Sequence, residues 1–248
     1  MKAKISPRHF PYKHPTFGSA ARPKPPSAWE SSVYFWWWAY LKRNEEYLGC
    51  CEQGGAGRLS EHYKDFGDVR GDDFKAWWSQ DDRGARLFAE PTADDTVRVL
   101  AEGETAISQA LALTVSLPLN LPKKFLLRRC QEILADARKG GRGKLYARSS
   151  RAAYRVTGQP NINALRRALQ VHDAVEASKR AAVKTPHWKI ATNLNLVSKK
   201  DQVRPSDSKL VAEAKRNVMK AIVGRLKKRA DILIRQSATR SFIGTGST

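Results

Sequence analysis

Two sets of side chains in this chain have the types and spacings that chemistry needs. One is acidic: Asp65, Asp68, Asp72 and Asp73 follow closely on His62, and carboxylates grouped with an imidazole are a donor set for metal-dependent hydrolysis of nucleic acid. Against that use, Asp68, Asp72 and Asp73 stand beside Gly67 and Gly71, where short polar side chains ordinarily serve turns and helix caps. The other set is cationic and much larger. Lys123, Lys124 and Arg128 crowd one helical start, and Arg142, Lys144, Arg148, Arg151 and Arg155 belong to a run, residues 138–160, without a single acid. Lys199 and Lys200 follow, and then Lys215, Arg216, Asn217, Lys220 and Arg225. Lys finds phosphate oxygens, whereas Arg and Asn can also read base edges through paired hydrogen bonds. Arg216, Asn217 and Lys220 are the candidates for contact with bases or groove edges.

Four cations at the start of a helix, Lys123, Lys124, Arg128 and Arg129, oppose its macrodipole, and an external phosphate would offset them. Gly140, Gly141 and Gly143 would let backbone amides approach an anion. His172 and His187 have no carboxylate or thiol at ligand spacing and are expected to pack or cap. Cys50, Cys51 and Cys130 make neither a disulfide framework nor a zinc pattern, so a reducing, cytoplasmic setting is expected. The expectations are therefore no catalytic residue, no metal, no cofactor and no enzymatic activity, with nucleic acid as the partner and double-stranded DNA favoured over RNA.

Charge bookkeeping along the chain supports that direction. The 248 residues hold 45 Lys and Arg against 24 Asp and Glu, a net charge of +21, which calls for a polyanionic partner or surface. The excess is segregated. Residues 1–27 carry six cations, six prolines and no acid, residues 28–122 carry 9 basic against 16 acidic residues, and residues 123–248 carry 30 against 8. Six of the seven tryptophans lie before residue 92. No apolar run approaches the roughly 18 residues of a membrane span, and no apolar leader with a cleavage site begins the chain.

These side chains need elements to position them. Helices are predicted for Trp29 to Cys51, Arg58 to Phe66 and Asp72 to Ser79, all built around large rings. Another runs from Pro122 to Ala137, with Phe125, Leu126, Cys130, Ile133, Leu134 and Ala137 as its apolar face. Ala112 to Leu117 reads as a short strand or the end of a helix, with Pro118 blocking continuation. Asn163 is the predicted cap of a helix through Ala177, and Ser208 to Arg235 is a long final helix. Between those two, Ile190, Ala191, Leu194, Asn195, Leu196, Ser198 and Val203 resemble the helix-turn-helix pattern I-A-x-x-L-G-V-S-x-x-x-V, with Asn195 in the left-handed turn usually given to glycine, Val197 as one extra residue in the turn and Pro205 delaying the following helix.

The expected fold class is mainly α: an aromatic N-terminal helical bundle joined to a basic, helix-turn-helix-like C-terminal helical module. The expected divisions are a basic, Pro-rich disordered arm (1–27), an aromatic and mildly acidic module for dimerisation or partner contact (28–104), a basic nucleic-acid-binding module (105–236) and a flexible tail (237–248).

The segments Trp38-Ala-Tyr-Leu-Lys-Arg-Asn-Glu-Glu-Tyr47, Arg86-Leu-Phe-Ala-Glu-Pro91 and Leu117-Pro-Leu-Asn-Leu-Pro122, with the helices around Ile190 and Val218, resemble proteobacterial transcriptional regulators carried on phages and integrative conjugative elements. The resemblance implies a sequence-specific regulator of mobile-element genes with no cofactor. Rival readings are an RNA-binding subunit, a metal-dependent nuclease using the Asp65 to Asp73 acids, and a phage structural protein touching packaged genome.

Overall fold

A computed structural model describes residues 10–90, 99–101, 113–137 and 150–243. The fold is mainly α. Its helices are α1 (Ser27–Glu30), α2 (Val33–Leu41), α3 (Glu45–Glu52), α4 (Ser60–Phe66), α5 (Phe74–Ser79), α6 (Arg83–Phe88), α7 (Lys123–Ala137), α8 (Ile162–Arg180), α9 (His187–Asn193) and α10 (Lys209–Ser237). One small parallel sheet pairs β1 (Arg155–Thr157) with β2 (Ser241–Ile243), Val156 opposite Phe242.

The helix expected from Trp29 to Cys51 is three helices. Ser32 accepts from Tyr34 N, and Asn44 accepts from Tyr47 N at 2.9 Å, so each starts a new helix with its side chain. Between those caps, α2 is apolar around its whole circumference, with every residue but Phe35 buried. A helix without a polar face must be covered on all sides, and the short helices α3 to α6 cover only part of it.

The remaining cover comes from far along the chain. Trp37 stacks on Phe242 at 5.1 Å and donates from Nε1 to Ser237 O at 2.8 Å. Tyr40 donates to Leu165 O and Asn44 to Ile234 O. One core cluster therefore joins α2 to Tyr154, Val156, Leu165, Leu169, Ala230, Leu233 and Phe242. The expected division between 28–104 and 105–236 marks a change of charge and not a packing boundary.

Both predicted loose ends need the same correction over their described residues, 10–27 and 237–243; residues 1–9 and 244–248 lie outside them. Phe10, Tyr12 and Phe17 of the arm pack against the core, and the Tyr12 hydroxyl donates to Gly158 O. At the other end Phe242 is fully buried. A few rings anchor a segment whose average composition reads as disordered, because each buries a large area at one point.

Glu90 is buried and accepts hydrogen bonds from Ser150 Oγ and, at 2.8 Å, from Arg151 N. The chain thus departs at residue 90 and returns at residue 150 to the same place. Neither core cluster includes a described residue of 91–149, and none of α7 is buried.

Candidate nucleic-acid interface

The cation-bearing end of the molecule rests on a second, smaller core. Val171 and Val175 of α8, Ile190 and Ala191 of α9, and Met219 and Val223 of α10 meet there. Ala191 is fully buried, and its single methyl lets α9 lie close on its neighbours. Asn195 has φ of +49°, and Leu196 N donates back to Ala191 O at 3.0 Å. The left-handed turn is formed as its residue type predicted.

The second half of the helix-turn-helix pattern is not formed. After Asn195 the chain turns again at Ser198, whose hydroxyl bonds Asp201 at 2.6 Å, and once more at Arg204, whose N–H donates to Asp207 at 2.8 Å. The next helix, α10, starts only after Ser208, which accepts from Val211 N. A helix-turn-helix joins its helices through about 3–4 residues, and here residues 194–208 intervene. The Asp207 and Ser208 side chains accept from backbone N–H groups locally, and Pro205 has no N–H to continue a helix from Ser198.

The predicted contact residues separate into several places. Lys123, Lys124 and Arg128 are exposed on α7, with Arg128 pairing Glu132 at 3.2 Å. Arg142, Lys144 and Arg148 lie outside the described residues. Arg151 and Arg155 are exposed at the start of the sheet, where Arg155 N donates to Arg240 O. Lys199 and Lys200 are exposed in the loop before α10. Lys215 is a correction: its Nζ reaches both carboxylate oxygens of Asp207 at 2.9 Å and Gln202 O at 3.1 Å. Its charge is spent holding the loop to α10. Lys215, and then Arg204 N, hold the Asp207 carboxyl below its usual range.

Arg216, Asn217, Lys220 and Arg225 are all exposed on α10. Arg216 and Lys220, four residues apart, share one row of the helix, and the Arg216 guanidinium lies over the Trp188 ring at 5.2 Å. Arg225 faces the opposite flank. There it joins Arg167 of α8 around a shallow groove floored by Leu196, Ile222 and Leu226. Between the two flanks the outer strip of α10 carries Asn217 with Ala214, Ala221 and Gly224, and in the same rows the exposed Leu210, Glu213 and Lys228; nothing lies within 4 Å of a Cβ placed on Gly224. Sequence reasoning missed Arg167 and Trp188. The latter had a signal, since it is the only tryptophan beyond residue 78.

Other cations are tied to the protein itself. Arg43 pairs Asp173 at 2.7 Å, Arg166 pairs Glu30 at 3.1 Å, and Lys227 is held between Glu176 and Asp231. By contrast, Arg167, Lys199, Lys200, Arg216, Lys220 and Arg225 form no ion pair among the described residues.

The acids around His62 also serve the fold. Asp65 accepts from the Tyr154 hydroxyl at 2.7 Å, Asp68 pairs Arg70, Asp72 pairs Lys42, and Asp73 caps α5 through Ala76 N. His62 is buried, stacked on Phe66 at 4.5 Å, and its burial pushes its pKa down to about 4. Among the described residues no group of three or more His, Cys, Asp or Glu side chains could hold a metal ion, and no helix is long and apolar enough to cross a membrane.

No protein-family model, curated protein or solved structure matches this chain. The functional reading therefore rests on the chemistry of the α8, α9 and α10 surface.

Proposed function

We propose that this protein binds duplex DNA by setting the outer strip of α10 into the major groove. The observation that carries the reading is the arrangement across that helix: cations unpaired among the described residues on both flanks, and between them Asn217 with small side chains at Ala214, Ala221 and Gly224, next to the exposed Glu213. A helix about 10–12 Å across fits a major groove about 12 Å wide. In that pose Arg216 and Lys220 would reach one phosphate backbone while Arg225 and Arg167 reach the other. Ala214, Ala221 and Gly224 would let the helix approach until Asn217 meets a base edge, where adenine offers a paired donor and acceptor. The deep, narrow major groove of A-form RNA does not admit such a helix, which favours DNA. Control of transcription on a mobile element is the use that the resemblance implies, and it requires that binding select a sequence.

Six phosphate contacts, from Arg167, Lys199, Lys200, Arg216, Lys220 and Arg225, would weaken binding about 10³-fold between 50 and 200 mM salt. Fluorescence anisotropy with labelled duplexes of DNA and RNA of equal length tests this. The expected result is a steep salt dependence and a preference for DNA. Replacing Arg216 and Lys220 by Ala should reduce affinity on every sequence without lowering the melting temperature. Asn217→Ala should mainly flatten the preference among sequences. Equal binding to RNA, or affinity indifferent to salt, would remove the proposal.

A further inference from the structure

The segment between Glu90 and Ser150 holds a surface that the DNA reading does not use. Leu113, Val115 and Leu117 alternate with Thr114 and Ser116 before Pro118, in a stretch that forms neither the expected strand nor a helix end in this structure. Alternation of this kind is the signature of a strand with one apolar face. The backbone of 113–117 has no hydrogen-bond partner among the described residues. Immediately after it, α7 repeats apolar residues at 126, 130, 133 and 137, with Leu127 and Leu134 one heptad apart, which is the seam of a helix that packs on another helix.

Leu126, Cys130 and Ile133 are half-buried, while the apolar residues beside them stand in solvent. Leu117 is 47% exposed, Leu127 56% and Leu134 47%. Leu113, Val115, Leu117, Leu119, Leu121, Phe125, Leu127 and Leu134 are all exposed large apolar residues, a concentration in one segment that marks an interaction surface of the kind a stable interface of ~800 Å² per partner covers.

We infer that residues 113–137 form the dimer interface between two copies of this chain. The pattern is self-complementary. With Val115 on a two-fold axis, an antiparallel pairing sets Leu113 of one protomer opposite Leu117 of the other, and it gives each open strand the hydrogen-bond partner it lacks. The two α7 helices then cover the apolar face of that ribbon and one another through their seams. Pro118, which has no N–H to donate, ends the ribbon. The aromatic residues expected to serve dimerisation are committed to the core, so the interface moves to this segment. The Glu90 contacts with Ser150 and Arg151 would fix the segment to the core at its root, and two copies would place two α10 surfaces on one assembly.

Sedimentation velocity on the full chain, freed of nucleic acid by nuclease treatment, tests the inference independently of DNA binding. A dimer at micromolar concentration is expected. Val115→Asp combined with Leu127→Asp should weaken the dimer by about 100-fold or more, since each charge is buried twice in a two-fold interface. Its circular dichroism and melting temperature, measured at a concentration where both proteins are monomeric, should be unchanged, because neither residue belongs to a core cluster. Should that variant misfold, Val115→Cys in a Cys130→Ser background reads the same contact, and oxidation is expected to yield a disulfide-linked dimer. A native chain that stays monomeric at 50 µM would overturn the inference. So would a dimer that survives Val115→Asp and Leu127→Asp in a folded protein, or a Val115→Cys variant that gives no linked dimer.

Discussion

The two ends of α10 are built differently. Its C-terminal end lies in a core of stacked and edge-on rings, where Trp37 meets Phe66, Phe88, Tyr154 and Phe242 and sends its N–H to Ser237 O. Its N-terminal end is held by a few aliphatic side chains from three helices, Val171, Val175, Ile190, Ala191, Met219 and Val223. Cations run along the whole of α10, from Lys209 to Arg235, and the candidate contacts Arg216 and Lys220 lie beside the smaller core. A helix anchored firmly at one end and lightly packed at the other can present its exposed face to a partner without depending on that face for stability. That separation lets charged residues be exchanged at one end while the rings at the other keep the fold.

Truncating the anchor should do the most damage. Trp37→Ala removes a fully buried ring and its hydrogen bond to Ser237 O, so a loss of about 3–5 kcal/mol is expected by denaturant titration, enough to unfold much of the population. A loss under about 1 kcal/mol would mean the aromatic core is not the anchor. Acid should attack the same end next. The buried His62 imidazole stays neutral down to about pH 4, whereas an unfolded chain takes up that proton near pH 6.5. Stability from this group is complete above pH 6.5 and is lost as pH falls through that window, by about 3 kcal/mol in all. Comparing His62→Phe with the native chain between pH 7.5 and pH 4.5 isolates the effect, and equal slopes would contradict it.

At the other end the same kind of change should cost less. Met219→Ala is expected to lose about 2 kcal/mol, with faster amide exchange confined to α9 and the first turns of α10. Exchange spreading equally to α2 would show that the two cores open as one unit. Smallest of all, Arg216→Ala should shift stability by about 0.5 kcal/mol or less, because its partner Trp188 is only partly buried.

Much of the local structure was legible from residue types. Ser208 starts α10, Pro122 precedes α7, and Asn195 takes the left-handed turn, each because a particular side chain or ring favours one backbone geometry. The start of α8 was displaced from Asn163 to Asn161, whose side chain caps it. Ser32 and Asn44 were equally readable as caps and would have divided the long aromatic helix. The candidate contact residues were half legible. Arg216, Asn217, Lys220 and Arg225 are exposed as expected, while Lys215 is held by Asp207, and charge counting cannot distinguish the two cases. Arg167 was missed because it lies on another helix and meets Arg225 only across a groove.

By itself the sequence determined the helices, the caps, the segregation of charge and the apolar face of each element, because those follow from interactions between residues close in the chain. Only the tertiary structure decided what covers each face. It set Phe242 and Ser237 against Trp37, closed the chain at Glu90 and Ser150, and split the cations of α10 into those bound to the protein's own carboxylates and those without an ion pair among the described residues. Such pairings join residues far apart in the chain, and local spacing carries no record of the distances that the folded molecule imposes.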